Sequence, residues 1–146
     1  MKVSELIGEK LDYWVARANG WAFGPPHKIL GWAVWRDSNG EITGIIPAQS
    51  FQPSVNWAHG GPIIERDQIF LQPPTSVHYN GGPNHGWKQY DHWRATVSAR
   101  TRTLPPKNEI QEALNVRGVG RGDGETPLIA AMRAFVTSVY GDEVPE

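Results

Sequence analysis

The chain has no cysteine among its 146 residues, and that absence removes thiol nucleophiles, disulfides and cysteine-ligated zinc together. It also lacks an excess of charge of either sign, since 14 Lys and Arg stand against 15 Asp and Glu for a formal net charge of -1. Such a balance provides no basic stripe, which argues against nucleic acid or an anionic membrane as partner, a local patch aside. No apolar run approaches the roughly 20 residues that span a bilayer. No apolar stretch follows Lys2 as a signal peptide would require, so a cytoplasmic setting is expected.

What is abundant is tryptophan and turn chemistry: seven Trp, 16 Gly and 12 Pro. Hydrophobic residues make up 39% and charged residues 20%, the balance of a globular chain, and the length fits one domain with a core that needs no metal or disulfide. Trp-rich, turn-rich chains combine a compact core with long ordered loops, and some of the indoles are free to line a ligand surface.

In chain order, Ser4 is placed to cap a helix running to Ala18. Ile7, Leu11, Trp14, Val15 and Ala18 form its apolar face, and Asn19-Gly20 stops it. Ile29 to Trp35 and Glu41 to Ile46 flank Asp37-Ser38-Asn39-Gly40, which predicts a β-hairpin. Gly60-Gly61-Pro62 predicts a turn and Ile63 to Leu71 a strand. Gln72 to Gln89 is the most loop-like stretch. From Trp93 onward, Trp93, Ala95, Val97 and Ala99 alternate with polar residues as in a half-buried strand. Asn108 to Val116 suits a short helix capped by Asn108, with Ile110, Ala113 and Leu114 inward. Thr126-Pro127 opens a helix whose face is Leu128, Ala131, Met132, Phe135, Val136 and Val139, closed by Gly141. The tail from Asp142 is expected to fray. Together these elements predict an α+β domain, with N- and C-terminal helices packed on a small antiparallel β-sheet under long ordered loops.

The densest mixture of reactive side chains and backbone punctuation is Trp57-Ala58-His59-Gly60-Gly61-Pro62-Ile63-Ile64-Glu65-Arg66. Trp57, His59, Gly60, Gly61, Glu65 and Arg66 are therefore the candidate ligand-binding residues, the glycine amides being available to an anion. On a strand, however, Glu65 and Arg66 point to opposite faces and do not serve one site together, so no catalytic set is assigned. His78, His85 and His92 recur every seven residues, a helical metal spacing, but Gly81-Gly82-Pro83 forbids the continuous helix it needs. No metal and no cofactor is expected. Gly118 to Gly124 precedes a helix and can be drawn as a phosphate cradle, yet it lacks the P-loop Lys-Ser/Thr and the strand of a dinucleotide fingerprint. A flexible loop is the plainer expectation. Arg94, Arg100 and Arg102 beside Trp93 suit either nucleic-acid contact or a solvated strand face, and the solvated face is the commoner use.

Three segments in order carry a family resemblance: Leu11 to Ala18, Trp57 to Arg66, and Thr126 to Val136 with Gly141-Asp142-Glu143-Val144. Together they resemble the NinX-like family of small proteins encoded by phages and prophages. The similarity implies a bacterial cytosolic setting and an accessory prophage role, and it transfers no catalytic residues. The leading expectation is a non-catalytic binding or adaptor protein for a protein or small-molecule partner. The alternative is a small hydrolase or transferase for a phosphate-bearing molecule, using His59 and Glu65 beside the glycines.

Overall fold

The computed structural model describes residues 1–22, 32–36, 42–47, 50–83, 85–104 and 114–145. Among them the chain runs through a 3-10 turn (Val3–Glu5), helix α1 (Gly8–Ala18) and strands β1 (Trp21–Ala22), β2 (Trp32–Arg36) and β3 (Ile42–Pro47). Helix α2 (Trp57–Arg66) precedes strands β4 (Phe70–Gln72), β5 (Ser76–Tyr79), β6 (Gly86–Gln89), β7 (Trp93–Leu104) and β8 (Leu114–Gly124), and helix α3 (Pro127–Tyr140) follows. The strands form antiparallel sheets in the orders β1-β2-β3, β4-β7-β8 and β5-β6. The α+β class is as expected, with a helix near each end of the chain.

The centre is α3 lying on β7 and β8. Thr126 caps the helix by accepting from the Ile129 amide at 3.2 Å, and Pro127 occupies the first turn, where its missing N–H removes no bond. Met132, Phe135 and Val136 are fully buried, and Ala95 and Val97 of β7 meet them from the sheet. The contact is close because both surfaces are stripped of bulk. Gly120, Gly122 and Gly124 alternate along one face of β8, and a Cβ on any of them would collide with α3: with Ala134 O and Ser138 at Gly120, Ala130 O and Ala134 N at Gly122, Ala130 N and Ile129 at Gly124. Ala130, Ala134 and Ser138, spaced by four, are the helix side of that contact. The glycine run is thus a strand, and neither the flexible loop nor the phosphate cradle describes it. Its Gly-x-Gly-x-Gly period of two is the strand period, with the smallest residue wherever the helix comes closest. The helix expected from Asn108 to Val116 does not extend to its expected end, because Leu114, Asn115 and Val116 lie in β8; residues 108–113, with Asn108, Ile110 and Ala113, fall outside the described residues.

At the N-terminus the helix begins later than Ser4. Ser4 sits in the 3-10 turn, and Gly8 opens α1 with φ of +54°, a left-handed angle that separates the two segments. Leu11 and Val15 are buried as expected, Trp14 packs edge-on against Tyr140 at 5.3 Å, and Ile7 stands out of the face at 63% exposure. The tail is tied down rather than frayed: Met1 and Val144 exchange backbone hydrogen bonds of 2.9 and 3.1 Å, and Val144 is buried. Strands β2 and β3 pair as the hairpin reading requires, while residues 29–31 and 37–41 fall outside the described residues. The stretch from Gln72, expected as loop, contains the β5-β6 hairpin.

Candidate functional site

The ten residues from Trp57 to Arg66 form a helix, which overturns the expected turn and the first part of the expected strand, whose end, Phe70 and Leu71, does lie in β4. Asn56 caps α2 by accepting from the Ala58 amide at 2.9 Å. Gly60 and Ile63 are buried, and a side chain at Gly60 would strike Pro53 O and Leu128. Pro62 deprives the helix of one internal N–H, a cost borne because the inward face packs. The C-terminus is a Schellman closure. The Ile69 amide donates to Ile64 O at 3.0 Å and the Gln68 amide to Glu65 O at 3.3 Å, with Gln68 at φ of +50°. The signals that sequence reading missed were Asn56 as cap and the buried spacing of Gly60 and Ile63; a Gly-Gly-Pro run outweighed both.

A helix advances about 100° per residue, so the six candidate residues do not converge. Trp57, Gly61 and Glu65, spaced by four, share one outward row; Trp57 is 55% exposed and Glu65 is exposed. Gly60 faces inward and its N–H donates to Asn56 O at 2.9 Å, so that amide is not offered to an anion. His59 and Arg66 lie along the flank. His59 Nδ1 accepts from the Gln52 amide at 3.0 Å, which puts the neutral ring's proton on Nε2, and the ring stacks on Phe51. Arg66 places its guanidinium 5.5 Å from the Phe135 ring centre, donates to Asn19 Oδ1 at 2.6 Å, and pairs with Asp67 at 2.6 Å. It therefore joins the ends of α1 and α2 above the core.

A second buried group anchors the corner. Asp12 of α1, only 8% exposed, accepts from the amide of buried Ser54 at 2.9 Å. Burial raises the Asp12 carboxyl above the ordinary range, while the Ser54 amide and hydroxyl and the nearby His59 pull it back down. Asp12, Ser54 and His59 lie close in the fold but not in series: the carboxylate receives the Ser54 amide, and the imidazole nitrogen that could be a base receives Gln52. They build a rigid approach to α2.

The loop histidines separate. His78 and His85 have ring centres 6.2 Å apart and His78 leans on Trp87, whereas His92 lies between Asp91 (2.7 Å) and Asp123 (3.7 Å). Among the described residues no group of three His, Cys, Asp or Glu is placed to hold a metal ion, and no helix is long and apolar enough to cross a membrane. Elsewhere a groove of about 510 Å³ runs between Lys2, Val3 and Ser4 and the β8 segment from Arg121 to Asp123. Arg133 lies at its wall, donating to Leu6 O at 3.0 Å and Asp123 O at 2.7 Å, and burial lowers its pKa.

Fold and corner together define a small α+β protein with a docked helix that holds one tryptophan, Trp57, in its outward row. The family model described as Bacteriophage P22, NinX matches residues 2–139, and the chain belongs to that family. No curated protein matches it.

Proposed function

We propose that the protein is a non-catalytic binding module, an accessory of phage or prophage origin acting in the bacterial cytoplasm, with the outward row of α2 as its contact surface for a protein or small ligand. The observation that carries this reading is Trp57, 55% exposed on a helix whose surrounding polar groups are spent on fixing it in place. A large aromatic held rigidly outside a complete core is the form of a binding anchor. Gly61 leaves the surface beside it open, and Glu65 supplies a charge at its end. His59, Gly60 and Arg66 serve the module by orienting the helix. The enzyme alternative loses its basis, because six helical positions set His59 and Glu65 about 120° apart and His59 Nδ1 is engaged by Gln52.

The test is a photo-crosslinking residue at position 57, with the same residue at exposed Glu9 as control, in lysate of phage-infected cells. The expected result is a discrete adduct from position 57 that excess unlabelled protein competes away. Native mass spectrometry of the gently purified protein covers a small ligand, which Trp57→Ala should release. Identical adducts from both positions, with no bound small molecule, would overturn the proposal.

A further inference from the structure

The β5-β6 hairpin and the start of β7 bring together a cluster that the α2 surface does not involve. The hydroxyls of Tyr79 and Tyr90 lie 2.8 Å apart. Lys88 Nζ stands 5.1 Å from the centre of the Tyr90 ring, and the Arg94 guanidinium carbon lies 3.4 Å from that same centre. Strand register accounts for the convergence. Val77 pairs with Lys88 and Tyr79 with Gly86, so alternation puts Tyr79, Lys88 and Tyr90 on one face, while His78 and Trp87 take the other.

Two features of the cluster are unusual. Arg94 Nε and Nη2, the side-on edge of the guanidinium, are buried and have no hydrogen-bond partner among the described residues. That edge presents two parallel N–H donors spaced to match two oxygens of one anion. The carboxylates that would ordinarily take it are engaged elsewhere. Asp91 follows Tyr90 and Asp123 pairs with Arg94 in the sheet register, yet both carboxylates are directed to His92, one at each ring nitrogen. Among the described residues no carboxylate lies within ion-pair distance of Lys88 or Arg94. The cluster thus holds two cations, a phenol pair with one O–H left to donate beyond the pair, and no carboxylate among the described residues.

We propose that Arg94, Lys88, Tyr79 and Tyr90 form a binding site for an oxyanion, the phosphate or carboxylate group of a small ligand. Lys88 and the remaining tyrosine O–H meet the anion at the surface. A small outward shift of the hairpin then gives its oxygens the unpaired edge of Arg94. The tyrosine pair is polarised chiefly by its own hydrogen bond, which lowers the Tyr90 pKa and raises that of Tyr79, and Lys88 and Arg94 add to the lowering at Tyr90. A bound anion neutralises the two cations and moves Tyr90 ionisation back to higher pH.

The experiment titrates the folded protein with inorganic phosphate in one arm and acetate in the other, at constant ionic strength set by chloride. Binding is read by calorimetry and by tyrosinate absorbance against pH. Saturable binding with a rise in the tyrosinate midpoint is expected, weakened about tenfold in Lys88→Gln and lost in Arg94→Gln. Lys88 is exposed, so its variant keeps the test independent of folding. Phosphate alone binding assigns a phosphate ester, acetate alone a carboxylate, and both a general oxyanion site. No saturable binding in either arm, or binding that Lys88→Gln and Tyr90→Phe leave unchanged, overturns the proposal. Neither result bears on the α2 surface, whose crosslinking test is separate.

Discussion

Asp12 and the glycines show how much a single side chain decides here. The Asp12 carboxyl titrates above the ordinary 3.8, so between those values the folded chain holds a proton that the unfolded chain has released. Its contribution to stability therefore falls as pH rises from near 3.8 through the raised folded value. Asp12→Asn keeps an acceptor for the Ser54 amide and removes the titration, so denaturant midpoints across that range should flatten relative to the parent. Parallel pH profiles for the two proteins would contradict this. Asp12→Ala leaves the buried Ser54 amide unmet and should lose about 1–3 kcal/mol. Glycines at two sites should respond very differently. Gly122→Ala forces a methyl into the α3 backbone and should destabilise by about 2–3 kcal/mol or more, whereas Gly61→Ala meets no other element and its gain in helix propensity is offset by the crowding of a Cβ against the ring of Pro62, so it should change stability by less than about 1 kcal/mol. Equilibrium unfolding of the two variants checks the contrast.

Among the elements, α3 was legible in the sequence because its determinants are local: Thr126, Pro127, the apolar spacing and Gly141 all lie within or beside it. The β7 alternation was legible for the same reason. Helix α2 was not. Its Gly-Gly-Pro run has poor helix propensity, and what makes it helical is burial of Gly60 against Pro53 and Leu128, a contact with a residue far along the chain. β8 was hidden likewise, since its glycines acquire a strand meaning only once α3 is laid across them. The strained closure of α2 offers a further test. Gln68 occupies a left-handed position that glycine adopts freely, so Gln68→Gly should stabilise the protein by up to about 1 kcal/mol, read as a shift in thermal midpoint. An unchanged or lowered midpoint would mean that the Gln68 side chain compensates for its backbone.

For the whole molecule, fold class followed from the order of periodic segments, while the geometry of the candidate site did not. Trp57, His59, Glu65 and Arg66 were picked out by their chemistry, yet whether they converge depended on helix against strand, and on that point the local signals were misleading. The Tyr79, Tyr90, Lys88 and Arg94 group was invisible for a different reason. It is assembled by the register of a hairpin in a stretch whose prolines and glycines suggested only loop. Net charge close to zero also concealed it, because averaging over the chain erases a pair of cations left without acids.

The clasp between Met1 and Val144 holds two segments 143 positions apart in the sequence side by side. Bridging residues 1 and 145 with a short flexible linker and opening the chain at Gly81-Gly82, an exposed tip of the β5-β6 hairpin, should give a circular permutant that still folds. Its far-ultraviolet circular dichroism should match the parent, and its unfolding should remain a single transition. The permutant would also convert β5 and β6 from neighbours along the chain into segments near opposite ends of it. The order in which the sheet assembles should shift accordingly, with slower refolding if that hairpin forms early and an unchanged rate if the α3–β8 contact nucleates the fold.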